Sequence, residues 1–243
     1  MEASETSVSI VVPAFNEAGR IAESVLKIDA FIRQSQVPLD LIVVDDGSTD
    51  KTSEVVSRLN AKNLRLIRND ENHGKGYTVR QGVLAATGKY VLFTDADLSA
   101  PIDELNKLLD IAVRESADIV IGSRALDRRY IEIHQSRLRE LGGIVFNLMV
   151  RVLLGLRLHD TQCGFKLFHR ERSRGVFAKL TTFGFGFDPE LLFLAKRQGL
   201  KIREAPVRWS HAEGSKVKFL RDGARMFVDL VRIRWNALVG RYS

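Results

Sequence analysis

Short apolar runs alternate with helical patterns over the first 125 residues, and this alternation limits the fold more than any other feature. The runs have the length and composition of buried strands, and they lie at 8–12, 39–44, 64–67, 90–94 and 118–122. Segments with helical spacing separate them, at 17–34, 52–60, 73–86 and 101–115. Strand–helix repeats of this kind form right-handed βαβ units. We therefore predict an α/β fold with a mostly parallel sheet flanked by helices.

Polar residues follow the carboxyl ends of four of these strands. They lie at 16–17, 45–46, 95–97 and 123–124. In parallel sheets the carboxyl ends of the strands share an edge, and ligands bind in the crevice beyond it. We therefore expect the four groups to meet at one site.

The Asp95-Ala96-Asp97 segment is the main candidate for a metal site. Two carboxylates two residues apart on irregular backbone can reach one hard cation, and Mg²⁺ or Mn²⁺ can bridge them to a diphosphate. In isolation the same pattern also suits an aspartate pair at a turn or a helix cap. The position directly after a central strand, on the same edge as Asp45, favours the metal site.

Two further turns are candidates for binding a nucleotide. The segment 45–48 (DDGS) offers carboxylates to a base or a ribose, although it equally suits an Asx-turn with a helix cap. The segment 72–76 (NHGKG) resembles an anion-binding glycine turn at a helix start. Its spacing is not that of a P-loop, and no G-x-G-x-x-G follows the first strand. The main sequence evidence for a P-loop kinase or a dinucleotide-binding oxidoreductase is therefore missing.

Other chemistries find little support. The single cysteine, Cys163, excludes an intramolecular disulfide, and the five histidines show no zinc-ligand spacing with it. Asp188 and Glu190 suit either a carboxyl group of raised pKa or an acidic pair at a helix start. No apolar stretch reaches the roughly 18 residues of a transmembrane helix, and no signal-peptide pattern opens the sequence. These features predict an intracellular protein that is soluble or bound to a surface.

The basic excess of the chain is confined to its last 48 residues. From Lys196 onward there are 12 Lys and Arg against 4 Asp and Glu, whereas the preceding 195 residues carry 25 against 26. The segment 219–238 places Arg221, Arg225 and Arg232 beside a helical apolar stripe. Because aromatic stacking partners are sparse there, this tail suits an anionic membrane or a phosphate group better than a nucleic acid.

The second half of the chain has a different pattern. The segments 160–168 and 183–192 are rich in Gly and Phe, which suits loops and short elements that close over a site. The apolar segment 141–156, interrupted by Asn147 and Arg151, suits either a core helix or a membrane contact.

Taken together, the motifs resemble those of family-2 glycosyltransferases with the GT-A fold, a Rossmann-like α/β architecture. The first half carries VVPAFNE at 11–17, VVDDGSTD at 43–50, NHGKG at 72–76 and TDADLS at 94–99, in the family's order. The second half resembles polyprenyl- and dolichyl-phosphate sugar synthases through IGSRA at 121–125, DTQCGFKLF at 160–168, FDPELLF at 187–193 and EGSK at 213–216. Within that group the chain is most similar to dolichyl-phosphate β-glucosyltransferases.

The resemblance implies a role for each matching residue. The nucleotide sugar would be bound by Pro13, Ala14, Phe15, Glu17, Asp45, Lys75 and Ala96. Asp95 and Asp97 would hold Mg²⁺ or Mn²⁺ together with the donor diphosphate. The acceptor phosphate would be bound by Arg124, Arg139 and Lys216, and the catalytic residues would be Asp95, Asp97 and Arg124. Because the acceptor phosphate is already anionic, a general base is optional, with Asp188 the candidate by residue type.

The resemblance also implies a reaction, the metal-dependent inverting transfer of glucose from UDP-glucose to dolichyl or polyprenyl phosphate. Mannosyl synthases of the group carry an arginine shortly before the G-x-S-K motif, where this chain has Trp209-Ser210-His211. We therefore expect glucose from UDP; the alternatives are mannose from GDP-mannose and a family-2 enzyme with a non-lipid acceptor. The alternative that is not an enzyme is a non-catalytic protein that binds RNA or a membrane through its basic tail.

We expect two parts of the chain with different roles. Residues 1–210 would form the glycosyltransferase domain, and residues 211–243 a basic amphipathic helix at the membrane interface. We expect a peripheral protein on the cytoplasmic face of a membrane. The oligomeric state is not predicted from the sequence.

Overall fold

A computed structural model describes residues 6–133, 135–211 and 219–242. Within these ranges the strands are β1 (Val8–Ala14), β2 (Leu39–Asp45), β3 (Leu64–Arg68), β4 (Tyr90–Thr94), β5 (Ile119–Ser123), β6 (Ile131–Ile133), β7 (Phe165–His169), β8 (Ile202–Pro206) and β9 (Trp209–Ser210). The helices are α1 (Ile21–Gln34), α2 (Thr52–Ser57), α3 (Lys75–Ala85), α4 (Glu104–Arg114), α5 (Arg137–Leu154), α6 (Arg170–Ala178), α7 (Phe187–Arg197) and α8 (Phe219–Leu238). A 3₁₀ turn at Arg128–Tyr130 precedes β6.

The central sheet has seven strands in the order β3-β2-β1-β4-β7-β5-β8. The pairs β1–β2, β1–β4, β2–β3 and β5–β8 are parallel. Only β7 runs the other way, antiparallel to both β4 and β5. The predicted α/β class with a mostly parallel sheet flanked by helices is therefore confirmed. A separate pair of short strands, β6 and β9, lies outside this sheet.

Within the segment 160–168, where we expected loops and short elements that close over a site, the structure has β7, a strand of the central sheet. Its residues from Phe165 to Phe168 are all buried, and it lies between two other strands of the sheet. A strand covered on both faces does not show the polar–apolar alternation that marks a half-exposed one. The buried Lys166 interrupts the apolar run as well, so neither strand pattern is present in the sequence. In the second segment with this expectation, 183–192, the residues from Phe187 onward begin α7.

Helices cover both faces of the sheet, and β1 shows how the core is divided. Ile10 and Val12 point to one face, where they pack with buried residues of α1, α2 and α4. Val11 points to the other face, which α3, α5, α6, α7 and α8 cover. Because side chains alternate between the faces of a strand, a continuous apolar strand requires helices on both sides.

The helices α5 and α8 pack against each other, and each has one buried and one exposed apolar side. On the inner side Phe146 and Val150 of α5 and Leu230 and Ile233 of α8 belong to the core. The outer side, with Val239 just after α8, carries a set of exposed apolar residues that we call the apolar face: Leu138, Leu141, Ile144, Val145, Leu148, Val152, Phe227, Val228, Val231, Trp235, Leu238 and Val239. The segment 141–156 thus supplies both a core helix and exposed apolar surface, and α8 is amphipathic as predicted.

Among the described residues no helix is both long enough and apolar enough to cross a membrane.

Candidate active site

A cavity of about 1020 Å³ opens beyond the carboxyl ends of β1, β2 and β4. Most of the residues expected to bind the nucleotide sugar or a metal ion lie on its wall: Pro13, Ala14, Phe15, Glu17, Lys75, Asp95, Ala96 and Asp97. The groups that follow these three strands therefore converge at one edge of the sheet, as the parallel topology requires.

The loop after β1 and the turn after β2 hold each other in place. The side-chain Oδ1 of Asn16 accepts a hydrogen bond from the backbone N–H of Thr49 at 2.9 Å. In return the backbone N–H of Asn16 donates to Ser48 Oγ, and that of Glu17 donates to Thr52 Oγ1, both at 2.8 Å. Because the two motifs satisfy each other's polar groups, this part of the wall is ordered without a ligand.

Asp45 does not lie on the cavity wall. Its side chain is fully buried and accepts hydrogen bonds from the backbone N–H of Ser48 at 3.0 Å and from the hydroxyl groups of Ser48 and Ser53. The structure therefore places Asp45 behind the wall, where it fixes the turn that carries the next residue.

That next residue, Asp46, lies on the wall and connects β2 to the glycine turn. Its Oδ1 accepts from Asn69 Nδ2 at 2.8 Å and from the backbone of His73 at 3.1 Å, and its Oδ2 accepts from the backbone of Gly74 at 2.8 Å. Gly74 has a φ of 99°, and a Cβ there would lie 2.5 Å from the carbonyl oxygen of Phe183. Only glycine tolerates both this positive φ and the close approach of the Phe183 carbonyl group.

Asp95 and Asp97 lie on the turn after β4. Asp95 Oδ1 is 2.6 Å from Lys75 Nζ, and a Cβ atom at Gly164 would lie only 1.9 Å from Asp95 Oδ2. The carboxylate is therefore held between a cation and the glycine. Asp97 Oδ1 accepts from the backbone N–H of Ser99 at 3.0 Å. Within the described residues Asp97 Oδ2 has no hydrogen-bond partner, which leaves it open to a ligand in the cavity.

These carboxylates fit a divalent cation that also binds a substrate. In the part of the chain that the structure describes, no three His, Cys, Asp or Glu residues are grouped so that they could hold a metal ion by themselves. Mg²⁺ is typically held by one or two carboxylates together with phosphate oxygens and waters. Two carboxylates on the wall of a cavity suit that arrangement.

A second pair of charges lies behind the Lys75–Asp95 pair. Lys166 on β7 donates to Asp188 Oδ1 at 2.6 Å, and both side chains are buried. Burial raises the pKa of Asp188 even though Lys166 and Lys75 act against this. Burial alone would lower the pKa of Lys75, but Asp95 and Asp188 raise it above its ordinary value. Asp188 is not on the cavity wall.

Arg124 lies at the end of β5 and is bound by Asp160. Its Nε and Nη2 donate to the two carboxylate oxygens at 2.6 and 2.9 Å, and its guanidinium lies 5.3 Å from the ring centre of Trp209. Burial opposes the ionised carboxyl group, yet Arg124 lowers the pKa of Asp160 to about 2. Neither Arg124 nor Arg139 is on the cavity wall, and Lys216 lies outside the described residues.

The rest of the wall comes from two segments that sequence reasoning did not place in the site. One is the segment 181–185, and the other is the part of α8 between Ala224 and Arg232. The repeated Phe-Gly pattern of 183–187 indicated a loop near a site, and the arginines of 219–238 indicated an anionic partner. Neither pattern shows that the two segments face the same cavity.

Several known proteins are similar to this chain in sequence. The sequence profile of glycosyl transferase family 2 matches residues 9–177. A dolichyl-phosphate β-glucosyltransferase from Saccharomyces cerevisiae is 36% identical, with 98% of this chain and 77% of that protein aligned. The human dolichyl-phosphate β-glucosyltransferase is 33% identical, over 96% and 76% respectively.

A solved structure has the same fold. It is glucosyl-3-phosphoglycerate synthase from Mycobacterium tuberculosis, crystallised with Mn²⁺, UDP-glucose and phosphoglyceric acid. It superposes with a TM-score of 0.68 at 21% identity, and the match covers 95% of this chain and 80% of that one. At this identity the likeness concerns the fold.

Proposed function

The chain belongs to glycosyl transferase family 2, and we propose that this glycosyltransferase moves glucose from UDP-glucose to dolichyl or a related polyprenyl phosphate. The observation that carries the proposal is the position of Asp95-Ala96-Asp97 on the wall of one cavity together with the loop after β1 and the glycine turn. Relatives that are dolichyl-phosphate β-glucosyltransferases, aligned over nearly the whole chain, support the choice of sugar and acceptor.

On the donor side, the wall residues Pro13, Ala14, Phe15, Glu17 and Ala96 would contact the nucleotide, and Asp45 would act through the turn that it orders. Asp95 and Asp97 would hold Mg²⁺ or Mn²⁺, whose chemistry is to neutralise the charge that develops on the departing diphosphate. Lys75 lies at the start of α3, where the helix dipole and the side-chain cation both favour an anion. The solved synthase that binds Mn²⁺ and UDP-glucose supports this type of donor.

On the acceptor side, a phosphate oxygen would form a bond to C1 of glucose while the bond from C1 to the diphosphate oxygen breaks. UDP leaves with the electron pair, and the configuration at C1 is inverted. The acceptor phosphate is already anionic, so it needs positioning rather than deprotonation. Asp188 is therefore not required as a base, and its carboxylate is bound by Lys166.

We propose Arg124, Arg139 and Lys216 as ligands of the acceptor phosphate. Asp160 holds the guanidinium of Arg124 through Nε and Nη2. Within the described residues Nη1 of Arg124 makes no hydrogen bond. A guanidinium fixed on one side by a carboxylate can present its remaining N–H groups to a phosphate in a defined orientation.

We further propose that the apolar face of α5 and α8 lies on an anionic membrane, the cytoplasmic leaflet that holds the lipid acceptor. A large number of exposed apolar side chains on two helices that pack together marks an interaction site, and amphipathic helices with basic residues bind in the interfacial plane. The positive excess of the last 48 residues provides the complementary charge. Residues 211–243 would then act as the interfacial element, together with α5.

The test offers the purified protein Mg²⁺ or Mn²⁺ and polyprenyl phosphate in detergent, with UDP-glucose and GDP-mannose in parallel reactions. We expect a lipid-linked sugar from UDP-glucose only, and no product after addition of EDTA or from the Asp97→Asn variant. Product from GDP-mannose only would overturn the choice of sugar. Release of UDP without a lipid product would overturn the acceptor.

Arg124→Ala separates a phosphate acceptor from a hydroxyl acceptor. If the acceptor is a lipid phosphate, most of the activity should be lost, because a charge-assisted contact to the nucleophile is removed. An Arg124→Ala variant that transfers glucose at the wild-type rate would contradict the proposed role of this arginine.

A further inference from the structure

The cationic side chains on the cavity wall fall into two classes. Arg20 is 2.7 Å from Glu17, and Lys75 is 2.6 Å from Asp95, so each already forms a close ion pair with a carboxylate. The other two cations that the described wall contains are Arg225 and Arg232, both from α8. The two classes differ in whether a carboxylate already lies within hydrogen-bond distance of the cation.

The two arginines of α8 keep their charge available. Among the described residues Arg225 makes no ion pair and no side-chain hydrogen bond. Arg232 Nη1 is 3.9 Å from Asp229 Oδ1, beyond hydrogen-bond distance, and its side chain is 60% exposed. The two arginines are seven positions apart, which is about two helical turns or about 10 Å, so both lie on the same side of the helix. Long side chains at this spacing can approach one anion.

The position of these arginines links the cavity to the apolar face. Val228 lies between them in sequence, and it belongs both to the cavity wall and to the exposed apolar residues, with 53% of its surface exposed. A lipid whose hydrocarbon chain rests on the apolar face would therefore bring its headgroup to the stretch of α8 that carries Arg225 and Arg232.

We infer that Arg225 and Arg232 form a binding site for the phosphate of the lipid acceptor where it enters the cavity from the apolar face. This inference rests on the proposed function and adds two ligands to the acceptor site. Guanidinium groups bind phosphate through paired hydrogen bonds.

The test compares Arg225→Ala, Arg232→Ala and the double variant in a non-ionic detergent. The matched control is Arg234→Ala, which removes an exposed arginine from the same helix but not from the wall. For the double variant we expect the KM for polyprenyl phosphate to rise by about tenfold or more, as for a lost charge-assisted hydrogen bond. The KM for UDP-glucose and the melting temperature should stay unchanged, and the double lysine variant should recover part of the loss.

A double variant with the KM values of Arg234→Ala would overturn the inference. The phosphate could instead belong to a membrane lipid, and vesicle binding separates the two sources. If the double variant keeps its KM in detergent but loses binding to phosphatidylserine vesicles relative to phosphatidylcholine vesicles, the site serves headgroups and the inference is wrong.

Binding measured without turnover separates this inference from the proposed function. Wild-type protein should bind polyprenyl phosphate in micelles more tightly than uncharged polyprenol, and in the double variant this difference should be clearly smaller. This result would support the arginine site even if no glucose were transferred. An equal affinity of the wild type for both lipids would overturn it.

Discussion

The close approach of Gly164 to Asp95 gives a direct test of the proposed metal and donor site. A Cβ atom at position 164 would lie 1.9 Å from Asp95 Oδ2 and 2.4 Å from its Cγ. Ordinary van der Waals contact begins at 3.4 Å, so in a Gly164→Ala variant the carboxylate must retreat by about 1.5 Å. Because Lys75 holds the other oxygen, the displacement also disturbs that ion pair.

The expected consequence is loss of activity without loss of the fold. A misplacement of about 1 Å at a reacting centre can reduce the rate about 100-fold. We therefore expect Gly164→Ala to reduce kcat/KM by about two orders of magnitude, measured as transfer of labelled glucose to polyprenyl phosphate. The affinity for UDP in the presence of Mn²⁺ should fall as well, while the circular dichroism spectrum stays that of the wild type.

The matched control is Gly143→Ala in α5. Nothing lies within 4 Å of a Cβ atom built at that position. An alanine there should leave the activity unchanged and stabilise the helix slightly. Activity of Gly164→Ala within threefold of the wild type would refute the reasoning, because it would show that the position of the Asp95 carboxylate is not critical.

Three further predictions concern the charges and the thiol around the site. Asp188→Ala leaves Lys166 buried without its partner, so the free energy of unfolding in urea should fall by about 3–5 kcal/mol, and Lys166→Met added to Asp188→Leu should recover much of it. The lowered pKa of Asp160, about 2, means that its carboxylate stabilises the fold above the unfolded-state pKa of about 3.9. The stability difference between wild type and Asp160→Asn should therefore be constant near neutral pH and shrink as the pH falls from about 4 to about 2; a constant difference down to pH 2 would contradict it. Burial raises the pKa of Cys163 to about 12, so iodoacetamide at pH 8 should label it slowly in the native protein and rapidly in urea. Equal labelling rates would show that the thiol is accessible.

The first half of the fold was predictable because its signals are local. Each apolar run and the polar turn that follows it lie within a few residues, and a parallel sheet then requires the turns to meet at one edge. The position of Asp95, Ala96 and Asp97 on the cavity wall follows from that rule.

The strand β7 was not predictable in this way. Lys166 is the second of the five residues of β7, and its burial depends on Asp188, 22 residues further along the chain. A local pattern that contains a lysine indicates exposure, and only the tertiary partner makes the charge tolerable inside the protein.

The division of roles between Asp45 and Asp46 also depends on distant contacts. Adjacent side chains on a strand end point to opposite sides, but the sequence does not show which side is the cavity. The hydrogen bonds from Asn69, His73 and Gly74 bring Asp46 to the wall, and two serine hydroxyl groups hold Asp45 behind it. The contribution of α8 to the cavity wall could not be predicted for the same reason. The sequence shows that its arginines lie on one side of the helix, but only the packing of α8 determines that this side faces the cavity.

The most direct measurement of the proposed reaction is the NMR spectrum of its product. Purified protein would be supplied with UDP-glucose labelled with ¹³C at C1, a divalent metal and polyprenyl phosphate. We predict a lipid-soluble product whose labelled carbon is coupled to phosphorus and has the β configuration, as inverting transfer to a phosphate requires. A labelled carbon without phosphorus coupling, in free glucose or in a glycoside of a hydroxyl group, would contradict the proposed function.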